Sequence, residues 1–82
     1  MAEEKKQEEI QLESVISSNI AAIGFDSTSN RMRVQFTNGA IYDADGPQQL
    51  DFDDFKSSKS KGIHFNKVLK KAFVWKRLEK KG

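Results

Sequence analysis

Apolar positions recur every second residue in the middle of the chain and every third or fourth residue toward its end. Arg31 to Phe36 alternates strictly. Met32, Val34 and Phe36 face one way, and Arg31, Arg33 and Gln35 the other, as in a half-buried strand. The preceding run, VISSNIAAIGF at 15–25, has no charge and many β-branched side chains. Ser17, Ser18 and Asn19 interrupt it, so the strand it predicts covers Asn19 to Phe25. Between the two strands, Asp26 to Asn30 is a turn of side chains that bond their own backbone. Asn38-Gly39 marks a hairpin, and Ala40 to Ala44 returns as the third strand.

Loop length decides which face Tyr42 occupies. A two-residue loop pairs Phe36 with Ile41 and leaves Tyr42 beside Arg33 and Gln35. A three-residue loop, Thr37-Asn38-Gly39 with Gly39 left-handed, pairs Phe36 with Ala40. It gathers Met32, Val34, Phe36, Ala40, Tyr42 and Ala44 on one face and leaves Arg31 and Arg33 to solvent. The second arrangement is favoured because it collects the apolar residues.

Asp45-Gly46-Pro47 breaks the third strand. Leu50, Phe52 and Phe55 then predict a short helix, with Asp51 placing negative charge in its first turn. Ser57 to Gly62 is a second break. A longer helix follows from Phe65 to Phe73, capped by Asn66 or His64 and reaching Lys80 at most. Phe65, Val68, Leu69, Ala72 and Phe73 form its apolar stripe, and Lys67, Lys70, Lys71 and Arg77 its basic ridge. The periodicity fails near residue 74, where Val74 falls on the ridge and Lys76 on the stripe. Residues 1–13 are polar and read as a flexible arm before a single domain at 14–82. The expected fold is α+β: a small three-stranded antiparallel sheet, then a short helix and a longer basic amphipathic helix packed on it.

Eighty-two residues make one small domain with little room for an enclosed active site. The chain has no cysteine, which excludes disulfides and thiolate metal sites. No apolar run approaches a membrane span and no secretory leader is visible, so the cytoplasm is the default. The net charge of +2 hides an asymmetry. Residues 1–55 carry four basic and eleven acidic groups, a balance of −7, whereas residues 56–82 carry ten basic groups and Glu79 alone, a balance of +9. Such a block attracts nucleic acid, anionic nucleotides or an acidic protein surface. It also serves as a solvated helix face.

Catalytic constellations are thin. His64 is the only histidine, so a histidine metal pair is absent. A nucleophile would need Ser57, Ser58 or Ser60 beside His64 with an orienting acid. Asp51, Asp53 and Asp54 lack a calcium-loop pattern and suit an acidic first turn. The Ser60-Lys61-Gly62 loop, with Lys59, has the donors and backbone access for an anion, without the spacing of a P-loop. Trp75, beside the basic face, suits base stacking or closing the core edge.

The order of short motifs is similar to the KTSC domain. Ser17-Ser18-Asn19-Ile20, Ile23-Gly24-Phe25-Asp26, Val34-Gln35-Phe36 with Asn38-Gly39, Tyr42, and Ser60-Lys61-Gly62 with Phe65-Asn66 carry the likeness over about residues 15–74. That domain is found at the C-terminus of some lysyl-tRNA synthetases and as a lone bacterial or phage protein. The family's Tyr-x-Tyr stands here as Tyr42-Asp43-Ala44, without the second tyrosine. The resemblance implies a compact α+β unit and suggests binding of RNA or another nucleic acid.

These readings converge on a non-enzymatic nucleic-acid-binding module, for RNA or single strands, that needs no cofactor. Lys67, Lys70, Lys71 and Arg77 neutralise phosphates, with Lys59, Lys61, Gly62 and Trp75 beside them. The alternatives are a small phage or mobile-element module that binds a host protein, and capture of a small anionic nucleotide. The expected state is a monomer or small homo-oligomer.

Overall fold

The computed structural model of the protein describes residues 10–78. Among these residues one antiparallel sheet runs in the order β1 (Glu13–Ser14), β2 (Ile20–Asp26), β3 (Arg31–Phe36), β4 (Ile41–Asp45) and β5 (Lys76–Arg77). Helix α1 (Gln49–Ser57) follows β4. A second helical segment joins α2 (Lys61–His64), a π-helical stretch (Phe65–Leu69) and a last turn, α3 (Lys70–Ala72). The fold is α+β, but five strands replace the three expected. The two additions, β1 and β5, are edge strands of two residues each. They are too short for any periodicity to show.

The β3–β4 hairpin has the three-residue loop. Gly39 takes φ 97°, a left-handed conformation that costs glycine little. The Phe36 N–H donates to the Ala40 carbonyl at 2.8 Å. Val34 pairs with Tyr42 and Met32 with Ala44, so these side chains share the inner face. In β2 a bulge between Ile20 and Ala22 brings Ile20 and Ile23, three positions apart, onto that same face. Phe52 and Phe55 of α1, with Phe65 and Leu69 of the second helical segment, close the core over them.

The outer face is not simply left to solvent. Arg33 grips Asp43 bidentately, with Nε 2.7 Å from Oδ1 and Nη2 2.9 Å from Oδ2, and Asp43 is buried. Arg31 Nε reaches Asp45 Oδ1 at 2.9 Å. Gly24 pairs with Arg33 on this face, and the chain from Ile10 crosses above it. A Cβ at Gly24 would collide with the Gln11 carbonyl oxygen and crowd the Ile10 side chain. Ile10 is buried there. Residues 10–13 of the expected arm are therefore packed on the sheet, while residues 1–9 lie outside the described residues.

The long helix departs from the sequence reading at both ends and in its middle. It opens at Lys61, because the Ser60 hydroxyl accepts from the Ile63 N–H at 3.3 Å. Ser60 is thus the cap, and His64 and Asn66 lie inside the helix. In the π stretch the Lys70 N–H reaches back to the Phe65 carbonyl. The wider turn keeps Phe65 and Leu69 inward and leaves Val68 48% exposed, so Val68 and Ala72 leave the predicted stripe. The helix stops at Ala72 rather than continuing toward Lys80. Phe73 is extended (φ −133°, ψ 164°) and β-branched Val74 leads into β5. The Trp75 indole N–H donates at 3.0 Å to the Leu69 carbonyl, which also accepts from the Phe73 N–H at 3.2 Å, so the indole takes the second acceptor position of that oxygen. Ser60→Ala removes the cap and should cost about 1 kcal/mol. A lowered urea midpoint at unchanged m-value would show it, and an unchanged midpoint would count against the cap.

Candidate functional site

The hairpin register that puts Phe36 and Tyr42 on the inner face also puts them at the end of the sheet that α1 leaves uncovered. Across from them stand Phe65, Asn66 and Lys70 of the second helical segment, and Phe73 and Trp75 beyond it. Together with Asn38 and Ala40 they enclose a cleft of about 480 Å³. Its walls are aromatic rings held edge to face. Phe36 lies 5.6 Å from Tyr42 and 5.3 Å from Phe65, and Phe65 lies 5.0 Å from Trp75, all between ring centroids. Such contacts fix ring planes as well as burying area. Trp75 is anchored to Leu69 by its indole N–H, so one face packs against the core edge while the ring also lines the cleft.

The polar groups sit at the rim. Lys70 and Asn66 are exposed. The Asn38 Oδ1 accepts from the Ala40 N–H at 2.9 Å. Arg77 stands directly opposite Tyr42 across β4–β5, so its side chain lies on the cleft side of the sheet.

A second groove, of about 290 Å³, adjoins the first, and Asn66 lines both. Ser17, Ser18 and Asn19 form one wall and Lys59 to Ile63 the other. Lys61 Nζ donates to the Ser58 carbonyl at 2.8 Å, which ties this lysine to the end of α1. A Cβ at Gly62 would sit 3.4 Å from Asn19 Nδ2, so the glycine permits close approach of the two walls.

The expected site residues therefore fall in four places. Lys70 and Trp75 belong to the cleft, and Lys59, Lys61 and Gly62 to the groove. Lys67 and Lys71 project from the helix. Arg77 is not on the helical ridge at all; it is on β5, because the helix ends before it. The residues that composition and charge did not single out are Phe36, Asn38, Phe65, Asn66 and Phe73. The signal for Phe36 was present in the hairpin register. Phe73 and Phe65 looked like ordinary core positions.

Other candidate groups have local partners. His64 stacks on Phe55 with centroids 5.6 Å apart. The hydroxyls of Ser57 and Ser58 donate to the Asp54 and Phe55 carbonyls, and Ser60 caps the helix. Asp51 accepts from the Gln48 N–H at 2.7 Å and Asp53 from the Gln49 amide at 3.0 Å. In the β2–β3 turn, hydrogen bonds from the Thr28 hydroxyl, then the Thr28 and Ser29 groups around it, hold the Asp26 carboxyl below the usual carboxylate range. No described helix is long and apolar enough to cross a membrane.

The KTSC domain family matches this chain over residues 16–73, which is most of its length. The chain belongs to the KTSC domain family. The crystal structure of the KTSC domain protein YPO2434 from Yersinia pestis is similar to it at a TM-score of 0.80 and 30% sequence identity, over 87% of this chain and 100% of that one. No curated protein matches it. Motifs that mark the KTSC resemblance line the two depressions: Ser17 to Asn19 and Ser60 to Gly62 the groove, Phe36, Asn38, Tyr42 and Phe65 the cleft, and Asn66 both. Ala44, where the KTSC pattern has a second tyrosine, is buried opposite Met32 and does not line the cleft. The matched KTSC span ends at Phe73, so Trp75 and β5 close the cleft from beyond it.

Proposed function

We propose that this KTSC domain is a non-enzymatic module that binds single-stranded nucleic acid, RNA above all. The observation that supports this reading is the aromatic cleft with a cationic rim. Its volume is within the roughly 300–1,000 Å³ of small-molecule sites, which suits one unpaired base. Trp75, held by its N–H, offers a fixed stacking surface. Lys70 lines it, Arg77 stands opposite Tyr42 on the same face of the sheet, and Lys67 and Lys71 carry the positive surface outward along the helix. These cations meet phosphates and set position without reading sequence. Duplex bases are already stacked and unavailable to such a cleft, which favours the single strand.

The test is fluorescence anisotropy with labelled single- and double-stranded RNA and DNA across a salt series. Four phosphate contacts on a single strand give a log–log salt slope of about −3. Trp75, the only tryptophan in the chain, should change emission in parallel. Absence of binding at low salt would sink the proposal.

A protein partner is the second reading, favoured by a different observation. Ile16 is 99% exposed and Ile63 58% exposed, and both border the Ser17–Gly62 groove. Exposed apolar side chains beside a groove suit an interface. Under this reading, Ile16→Ser with Ile63→Ser would release a co-purifying protein and leave oligonucleotide binding intact.

A further inference from the structure

We propose that the cleft discriminates among bases, taking those that present a carbonyl acceptor, uracil, thymine or guanine, over those that present an amino group at the corresponding edge, cytosine or adenine. This rests on the nucleic-acid reading above and names the base class that its cleft selects.

The argument is an inventory of donors and acceptors. The Ala40 N–H can donate only to the oxygen of the Asn38 amide, at 2.9 Å. That bond fixes which way the amide points and leaves its NH₂ free to donate to a ligand in the cleft that Asn38 lines. Lys70 is a pure donor, and its ammonium has no partner among the described residues. The Trp75 N–H is spent on the Leu69 carbonyl. Tyr42 and Asn66 offer both donor and acceptor. Among the described residues no carboxylate lines the cleft. The committed polar groups are thus donors. Uracil and thymine present O4 and guanine presents O6 as an acceptor, whereas cytosine and adenine present N4–H₂ and N6–H₂ as donors. An amino base would place donor against donor at Asn38 and Lys70, and a base that leaves its own polar edge unpaired on binding is held more weakly.

The experiment titrates the intact chain with labelled ten-residue oligo-U, oligo-C and oligo-A at fixed salt, and with free UMP by Trp75 emission. The expected result is a preference of about tenfold for oligo-U over oligo-C. In Asn38→Asp the oxygen facing the Ala40 N–H is kept and the presented donor becomes an acceptor. The added negative charge weakens every polyanion, so the readout is the ratio, which should fall to one or invert. Equal affinity of the unaltered protein for oligo-U and oligo-C overturns the base inference and leaves the nucleic-acid reading standing. A ratio unmoved by Asn38→Asp also overturns it. Loss of all oligonucleotide binding overturns both. UMP binding as tight as oligo-U, with the same preference over CMP, keeps the base inference and replaces the polymer by a free nucleotide.

Discussion

Phe55→Ala is expected to cost about 3–5 kcal/mol and to leave the domain barely folded. Phe55 is fully buried, at 0% exposure. It sits where α1, the sheet and the second helical segment meet, with His64 stacked against its ring at 5.6 Å. Truncation leaves a cavity that two helices and a sheet would have to move together to fill. A small domain holds only about 5–15 kcal/mol in total. The melting temperature should fall by at least about 12 °C. Leu50→Ala on the same helix is the contrast, because Leu50 is 69% exposed and its loss should stay within about 0.5 kcal/mol. If the two variants melt alike, the packing described for α1 is incorrect.

Lys67, Lys70 and Lys71 changed together to Glu should lower single-strand affinity by more than about 100-fold. Each side chain is exposed, so reversal costs the fold little. The expense is local: positive charge near a helix C-terminus is favourable by about 0.3–1 kcal/mol per group. Circular dichroism and melting should therefore change modestly while binding disappears. The triple Gln variant separates loss of attraction from added repulsion, and should fall between the two with a shallower salt slope. Binding that survives the Glu variant would move the phosphate path off this helix, toward Arg77 and the Lys59 groove.

Much of this architecture was legible because side-chain period and turn chemistry agree. The alternation at Met32, Val34 and Phe36 is strict, and Asn38-Gly39 fixes the loop once the apolar face is required to be whole. The edge strands were not legible, since Glu13-Ser14 and Lys76-Arg77 have no strand pattern of their own. Their partners in β2 and β4 impose it on them. The helix end was half legible. The failure of periodicity at Val74 and Lys76 marked the place, but the direction the chain then takes depends on Trp75 reaching back to Leu69. The π turn was hidden, because wheel positions assume a constant rotation per residue and Val68 is exposed only when that rotation changes. The family resemblance identified the motifs but not their meeting point. Asn66 joins cleft and groove only after the sheet and second helical segment have packed.

The placement of β5 also sets an order of assembly. From β1 to β4 each strand lies beside its neighbour in sequence, and short loops bring them together. Only the β4–β5 pairing of Tyr42 with Arg77 and Asp43 with Lys76 spans both helices. Contacts that close such a long loop form late, because the chain must order most of itself before they repay the entropy. The cleft therefore comes into being at the final closure of the chain. A strand of two residues is also among the first elements to open in the folded state. Release of β5 would free Trp75 and dissolve the cleft while the hairpin and the buried core beneath α1 stay closed, so amide exchange at residues 76–78 would report on site availability rather than on global unfolding.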